Sequence, residues 1–157
     1  MRDPMDLILW RHADAVGPQD RLADDARPLT KKGERQARQM GDWLQRHLPD
    51  TTKILVSPTA RTRQTADALG RRFRVLSALG PEGTVDGLLH ATRWPDSREP
   101  IVVVGHQATL GLTAAYLLAG ILQPWPIRHG AVWWLRRRQR NDEMQVVLHT
   151  VLSVESL

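Results

Sequence analysis

Short apolar runs alternate with amphipathic helical patterns along this chain of 157 residues, and this alternation constrains its fold more than any other feature. Strand patterns are found at residues 7–10, 54–56, 101–104, 131–135 and 146–152. Helical patterns are found at residues 31–48, 60–73, 85–91 and 109–121. Strands that alternate with helices favour a parallel sheet with helices on both faces. We therefore predict a three-layer α/β/α fold whose sheet is mostly parallel, with the last two strands forming an antiparallel hairpin at one edge.

Length and composition narrow the class of protein. A length of 157 residues favours a single domain over residues 1–157. The chain has no cysteine, which excludes disulfides and thiol catalysis. No apolar stretch is long enough to span a membrane, and the first residues lack the apolar segment of a signal peptide. We therefore expect a cytoplasmic protein that has no membrane partner.

The chain is basic, with a formal net charge of +5 that arginine supplies almost entirely. A positive charge of this size could bind nucleic acid, an anionic substrate or an acidic protein. The densest basic cluster, residues 136–140, runs into Asn141-Asp142 and is interpreted as the solvated end of a hairpin. No nucleic-acid motif accompanies this cluster, and a single Phe with a single Tyr disfavours a stacking platform. We therefore expect no nucleic-acid partner.

Polar residues end three of the predicted strands. These residues are Arg11-His12 after the first run, "SPTARTRQTA" (57–66) after the second, and Gly105-His106 after the run at 101–104. The carboxyl ends of parallel strands lie at one edge of the sheet, where ligands of open α/β folds bind. Successive residues of a strand face opposite sides, so a turn of the chain at Arg11-His12 would aim both side chains at one point. We expect two histidines and at least two arginines to converge on one pocket.

The residue types at these strand ends favour phosphoryl chemistry. Arginine offers a planar set of donors that matches phosphate oxygens, and Arg61 lies in the first turn of its predicted helix, where free backbone N–H groups also favour an anion. The chain has no thiol, no nucleophile-elbow serine and no metal-ligand spacing such as HExxH, so imidazole is the best nucleophile available. Nearby arginines would keep a histidine neutral, and a neutral histidine can attack phosphorus to form a phosphohistidine that water hydrolyses. The second histidine and the arginines would stabilise the transition state.

The ordered set of "RHA" (11–13), "SPTARTRQTA" (57–66) and "GH" (105–106) resembles the histidine phosphatase superfamily, whose fold is phosphoglycerate-mutase-like. The short length, Ala13 in place of the commoner glycine, and "RPLTKKGERQA" (27–37) look most like the SixA-type phosphohistidine phosphatases. The resemblance covers nearly the whole chain. It implies His12 as nucleophile, Arg11 and Arg61 as phosphate-binding residues, and His106 as the second histidine beside the phosphoryl group. It also implies a reaction that needs no metal ion or other cofactor.

Two further residues compete for a place in this pocket. Arg63 rivals Arg61, because only one residue separates them in the same predicted helix. The family motif places the phosphate-binding arginine four residues after the serine at position 57, which selects Arg61. His129 in "IRHGA" precedes an edge strand and could line the pocket, although it fits a structural role as well.

An acid that would protonate an alcohol leaving group is missing from these motifs. Larger members of the superfamily that hydrolyse alcohol phosphomonoesters use an acidic residue between the second and fourth strands, because an alkoxide leaves badly without a proton. The corresponding segment here, residues 77–91, has only Glu82 and Asp86 as acids, and Asp86 is equally suited to capping the short helix. Imidazole is a far better leaving group than an alkoxide. The weak acid position therefore favours phosphohistidine on a protein as the substrate.

Three alternative functions stay open at this point. A small-molecule phosphomonoesterase would use Glu82 as its acid. A non-catalytic phosphate-binding module would need no nucleophile, so the presence of both histidines and both arginines counts against it. A basic nucleic-acid-binding protein rests on net charge alone.

Overall fold

The computed structural model describes residues 5–157, and this part of the chain forms six strands and four α-helices. The strands are β1 (Met5–Arg11), β2 (Lys53–Val56), β3 (Arg74–Val75), β4 (Ile101–Gly105), β5 (Val132–Arg140) and β6 (Glu143–Leu152). The helices are α1 (Lys31–His47), α2 (Ala60–Asp67), α3 (Val85–Thr92) and α4 (Gln107–Ala119). Every predicted strand and helix is present. The two-residue strand β3 is additional, since so short a segment has no periodicity to detect.

The strands form one sheet in the order β3-β2-β4-β1-β5-β6. The first four of these run parallel to one another, whereas β5 runs antiparallel to both β1 and β6. The predicted α/β fold with a mostly parallel sheet and an antiparallel edge hairpin is therefore confirmed. Because β2, β4 and β1 are parallel neighbours, their carboxyl ends lie side by side at one edge of the sheet.

Helices cover both faces of the sheet, because the central strands are apolar on both faces. One face packs on α1 and α2 through a buried cluster that includes Ile8, Val102, Met40 and Ala66. The other face packs on α3 and α4 through a cluster that includes Leu9, Val103, Leu88 and Leu110. Each buried Leu, Ile, Val or Met side chain of these clusters contributes about 1.5–3 kcal/mol by leaving water, so burial on both faces stabilises the central strands.

The helix boundaries differ from the predicted ones at a few ends. Thr30 caps α1, with its side chain accepting a hydrogen bond from the backbone N–H of Gly33. The second helix stops at Asp67 instead of residue 73, because the chain turns at Gly70, whose φ is +74°. In residues 5–157, no helix combines the length and the apolar character that crossing a membrane requires.

The edge hairpin is longer than predicted and uses part of the basic cluster. Asn141 and Asp142 both have positive φ, +53° and +64°, as a tight two-residue hairpin turn requires. Backbone pairing continues through the basic cluster, where Arg136 donates from Nε and Nη2 to the two carboxylate oxygens of Asp6 at 2.7 and 3.0 Å. Arg137 is buried. The interpretation of residues 136–140 as a solvated hairpin end is therefore wrong for these two arginines and holds for the exposed residues 138–140.

Candidate active site

The ends of β1, β2 and β4 are joined by backbone hydrogen bonds at the carboxyl edge of the sheet. His12 donates from its backbone N–H to the carbonyl of Gly105, and Ser57 donates to the carbonyl of Val104, both at 3.1 Å. His12, Ser57 and His106 each follow the last residue of their strand, where the chain leaves the sheet. As a result the rings of His12 and His106 lie with their centroids 5.4 Å apart.

The turn that follows His12 is held by the start of α1. The carboxylate of Asp14 accepts a hydrogen bond from the hydroxyl of Thr30 at 2.7 Å, and the backbone N–H of Asp14 donates to Oε1 of Gln36 at 2.9 Å. Only glycine fits at position 33, because a Cβ atom there would lie 1.9 Å from the carbonyl oxygen of Asp14. These contacts explain why the segment 27–37 carries threonine, glycine and glutamine at these positions.

The segment 57–66 places Arg61 next to this turn. The hydroxyl of Thr62 donates to the carbonyl of Ser57 at 2.7 Å, which fixes the start of α2 against the end of β2. One helical turn after Arg61, the hydroxyl of Thr65 donates to the Arg61 carbonyl at 2.8 Å and accepts from the backbone N–H of Ala13 at 3.0 Å. Arg61 and the turn after His12 are therefore linked through a single side chain.

The hydrogen bond of the His12 ring determines which nitrogen can react. Nδ1 lies 2.8 Å from the carbonyl oxygen of Ala13. A carbonyl oxygen can only accept, so Nδ1 carries the proton and donates. In the neutral ring Nε2 then has a free lone pair, which is the form that a nucleophile requires.

His106 is oriented by a residue to which the sequence pattern gave no chemical role. The hydroxyl of Ser57 lies 2.7 Å from Nε2 of His106, and both side chains are buried. This bond holds the ring plane and leaves Nδ1 as the nitrogen available to a ligand. The serine of the "SPTARTRQTA" segment therefore orients the second histidine.

The two arginines each offer a buried donor that no other group uses. Among residues 5–157, only three buried side-chain nitrogen or oxygen atoms lack a hydrogen-bond partner: Nε of Arg11, Nε of Arg61 and Nε1 of Trp134. Leaving a buried charged donor unpaired costs free energy, which a bound oxyanion would recover. Arg61 also donates from Nη1 to the carbonyl of Asp24 at 2.9 Å and from Nη2 to its carboxylate at 3.2 Å.

Burial and positive charge keep both histidines neutral. The pKa of His12 is lowered to about 3, chiefly by burial and further by His106, Arg11 and Arg61, against the opposing effect of the hydrogen bond to Ala13. The pKa of His106 is lowered to about 4, again chiefly by burial and next by Arg61. At neutral pH the lone pair on Nε2 of His12 is therefore present in almost every molecule.

These lowered pKa values predict how stability depends on pH. An unfolded histidine has a pKa of about 6.5, so below that pH the unfolded chain binds a proton that the folded site does not. The free energy of unfolding must then fall as the pH drops from about 6.5 towards 3. Between about pH 6.5 and pH 4.5, we expect the wild type to lose roughly 2–3 kcal/mol more than a His12→Asn variant in urea titrations. Equal losses in the two proteins would contradict this expectation.

His129 lies in the site, whereas the sequence left open whether it lines the pocket or has a structural role. Its Nε2 accepts a hydrogen bond from Nη2 of Arg11 at 3.0 Å, and its ring centroid lies 5.4 Å from that of His12. The Arg11 Nη1 donates to the carbonyl of Ile127 at 2.7 Å. Gly130, with a φ of +74°, donates its N–H to the carbonyls of Arg11 and His12, both at 3.2 Å. The loop before β5 therefore aims the Arg11 guanidinium.

The remaining sequence candidates lie outside the histidine pair. Arg63 is exposed, whereas Arg61 is 4% exposed. Glu82 is exposed on the wall of a neighbouring cavity that Asp24 also lines. Asp86 does not cap α3 as suggested, because the side chain of Thr84 accepts the capping hydrogen bond and Asp86 follows in the first turn. Within the described residues, no group of three or more His, Asp or Glu side chains could hold a metal ion.

Comparison with known proteins identifies the family to which the chain is similar. Residues 7–80 match the family model of the histidine phosphatase superfamily (branch 1). The phosphohistidine phosphatase SixA of Escherichia coli K12 is 32% identical over 129 residues, which is 76% of this chain and 78% of SixA. An uncharacterised protein of Picosynechococcus is 36% identical over 125 residues, which is 74% of each chain.

Comparison of the fold with solved structures also finds SixA. A solved structure of the protein histidine phosphatase SixA in complex with tungstate superposes with a TM-score of 0.77 and 26% identity, covering 96% of this chain and 97% of that chain. The strand-end motifs at 11–13 and 57–66 lie within the residues that match the family model. The chain therefore belongs to the histidine phosphatase superfamily and is a phosphatase.

Proposed function

We propose that this phosphatase removes the phosphoryl group from phosphohistidine on a protein, and that His12 is its nucleophile. The observation that carries the proposal is the His12 ring: Nδ1 donates to the Ala13 carbonyl, so Nε2 presents its lone pair beside Arg11 and Arg61. The SixA relative of Escherichia coli is named a phosphohistidine phosphatase. A SixA structure holds tungstate, an oxyanion, which supports an oxyanion site here.

The proposed reaction has two steps. First, Nε2 of His12 attacks phosphorus, the bond between phosphorus and the substrate ring nitrogen breaks, and the phosphoryl group becomes bonded to His12. The substrate ring carries a proton on its other nitrogen, so it leaves as neutral imidazole. Next, a water molecule attacks phosphorus, the bond to Nε2 breaks and returns its electron pair to the His12 ring, and both protons of the water leave with inorganic phosphate. Arg11 and Arg61 neutralise the phosphoryl oxygens in both steps, and Nδ1 of His106 donates a hydrogen bond to one of them.

The absence of a carboxylate from the histidine pair favours an imidazole leaving group. In residues 5–157, no carboxylate is hydrogen-bonded to His12 or His106. Asp24 is held by Arg27 at 2.9 Å and by Arg61 at 3.2 Å. An alkoxide needs a proton from an acid as it leaves, whereas imidazole departs readily and has the same chemical nature as the nucleophile.

One observation supports a second candidate, a small-molecule phosphomonoesterase. Glu82 lines a cavity of about 690 Å³ whose walls also include Asp24 and Pro58. Asp24 binds Arg61, and Pro58 follows Ser57, which binds His106. A substrate that occupies this cavity could place an ester oxygen near the Glu82 carboxyl. The two candidates therefore differ in what Glu82 does.

Replacing Glu82 with glutamine distinguishes them. On a phosphohistidine peptide and on an aryl phosphate we expect the Glu82→Gln variant to retain the wild-type rate, because a phosphohistidine ring protonated on its other nitrogen releases neutral imidazole and an aryloxide is stable without a proton. On an alkyl phosphate ester we expect a slow wild-type rate that the variant does not lower further. The measurement is the steady-state release of inorganic phosphate from the three substrates.

The result that would overturn the proposal is equally specific. A general acid contributes about 10²–10⁴-fold, so a brisk wild-type rate on the alkyl ester that falls a hundredfold in Glu82→Gln would assign Glu82 as the acid. The phosphomonoesterase would then replace the phosphohistidine phosphatase. Asp86→Asn serves as the matched control, because it removes a neighbouring carboxylate that lies in the first turn of α3.

A further inference from the structure

The site lies beside a cavity whose ionisable wall residues are mainly basic. This cavity has a volume of about 710 Å³ and is lined by Arg11, Lys32, Arg128 and His129, together with Gln107 and the carboxylate of Glu155. Arg11 belongs both to this cavity and to the candidate phosphate site. Glu155 compensates only part of the charge, since its closest approach to Arg128 is 3.8 Å and both side chains are well exposed. We call this space the basic cavity.

The cavity on the other side of the site has the opposite charge. It has a volume of about 690 Å³, and its ionisable wall residues are Asp24, Asp25 and Glu82. Most of its wall residues follow β2 and β3, and Asp24 and Asp25 reach it from the loop after β1, where the Asp24 carboxylate contacts Arg61 of α2. The walls of the basic cavity come from the end of β1, the start of α1, the start of α4 and the loop before β5. In the strand order β3-β2-β4-β1-β5-β6, these two sets of loops lie towards opposite edges of the sheet. A ligand centred on His12 therefore has positive charge on one side and negative charge on the other.

We propose that the basic cavity binds an acidic stretch of the phosphorylated protein, on one side of the phosphohistidine, and so determines the direction in which the substrate chain lies across the site. This inference rests on the proposed function. Lys32 and Arg128 would contact the acidic side chains of the substrate. Arg11, which lies between the basic cavity and the phosphate site, would contact the phosphoryl group. A nucleic acid fits the site poorly, because a strand that crosses it would bring phosphates against Asp24, Asp25 and Glu82 as well.

Exposed charge pairs are individually weak, but the two cavities affect the orientation of the bound chain together: the basic cavity attracts an acidic stretch and the acidic cavity repels it. Each contact at the rim changes affinity severalfold at most, and salt screens it. In the wrong orientation, the same acidic stretch would meet the carboxylates of the opposite cavity, and like charges at an interface disfavour that arrangement. The difference between the two orientations therefore exceeds the effect of either cavity alone.

Two peptides of identical composition test the inference. One carries aspartates before and lysines after a central phosphohistidine, and the other has the same residues in reverse order. At low ionic strength we expect the wild type to favour one peptide by about tenfold in kcat/KM, mostly through KM, and salt to reduce the preference. In Lys32→Glu/Arg128→Glu we expect the preference to vanish or reverse. Because the peptides have equal net charge, long-range attraction alone cannot produce this difference.

The control variant is Arg46→Glu/Arg140→Glu, which changes the net charge equally at two exposed residues outside the basic cavity. It should keep the wild-type preference. Equal kcat/KM for the two peptides in the wild type, or loss of the preference in the control as well, would overturn the inference.

Failure of the proposed function gives a different result, in which an aryl phosphate is hydrolysed but neither peptide is. The inhibition constants of the two peptides against aryl phosphate hydrolysis then test the basic cavity directly. Unequal constants that become equal in Lys32→Glu/Arg128→Glu would support it, and equal constants in the wild type would refute it.

Discussion

Replacing His12 with asparagine is expected to lower kcat by about 10⁴-fold or more, because it removes the nitrogen that attacks phosphorus. The asparagine amide can still donate to the carbonyl of Ala13 from the position of Nδ1, where the histidine donates at 2.8 Å. The change therefore removes Nε2 and preserves the local hydrogen bond. His12 follows the last residue of β1 and is not part of either apolar cluster, so we expect little loss of stability at neutral pH.

A chemical measurement separates the nucleophile from the second histidine. After rapid mixing with substrate and an alkaline quench, the wild type should carry an acid-labile phosphoryl group on His12, detected by peptide mass spectrometry. His90→Asn, which alters an exposed histidine in α3, should be labelled like the wild type. A label on His106 in the wild type would reverse the two roles.

Replacing Arg61 with glutamine is expected to lower kcat/KM by about 10²–10⁴-fold, since a preorganised cationic donor to the phosphoryl oxygens contributes on that order. Arg61 is 4% exposed and donates from Nη1 and Nη2 to Asp24, so the guanidinium is positioned before the substrate arrives and its buried Nε–H stays free for a phosphoryl oxygen. The loss should appear in KM for a phosphorylated substrate as well as in kcat. Thermal unfolding of the variant checks that the lost contact with Asp24 has not unfolded the loop around residue 24.

The same helix provides the matched control. Arg63 has the same charge, lies two positions further along α2 and is exposed. We expect Arg63→Gln to stay within about twofold of the wild-type kcat/KM, as exposed substitutions usually do. A larger loss in Arg63→Gln than in Arg61→Gln would show that the wrong arginine has been assigned to the phosphate.

The central elements of the fold could be predicted because their sequence patterns have local causes. The strands β1, β2 and β4 are buried on both faces, so each appears as a continuous apolar run. The first helix has its cap at Thr30 and a Pro soon after its end. The polar residues that follow these strands lie at one edge of the sheet because parallel strands place all their carboxyl ends there.

By itself, then, the sequence determined which side chains come to the carboxyl edge of the sheet, since the parallel direction of the strands follows from the alternation of strand and helix patterns along the chain. Only the tertiary structure decided how each of those side chains is held. The Ser57 hydroxyl on His106, the Asp24 carboxylate on Arg61 and the His129 ring on Arg11 join residues 49, 37 and 118 positions apart. Such contacts depend on the paths of the intervening loops. No periodicity encodes those paths, because they result from the packing of the whole chain.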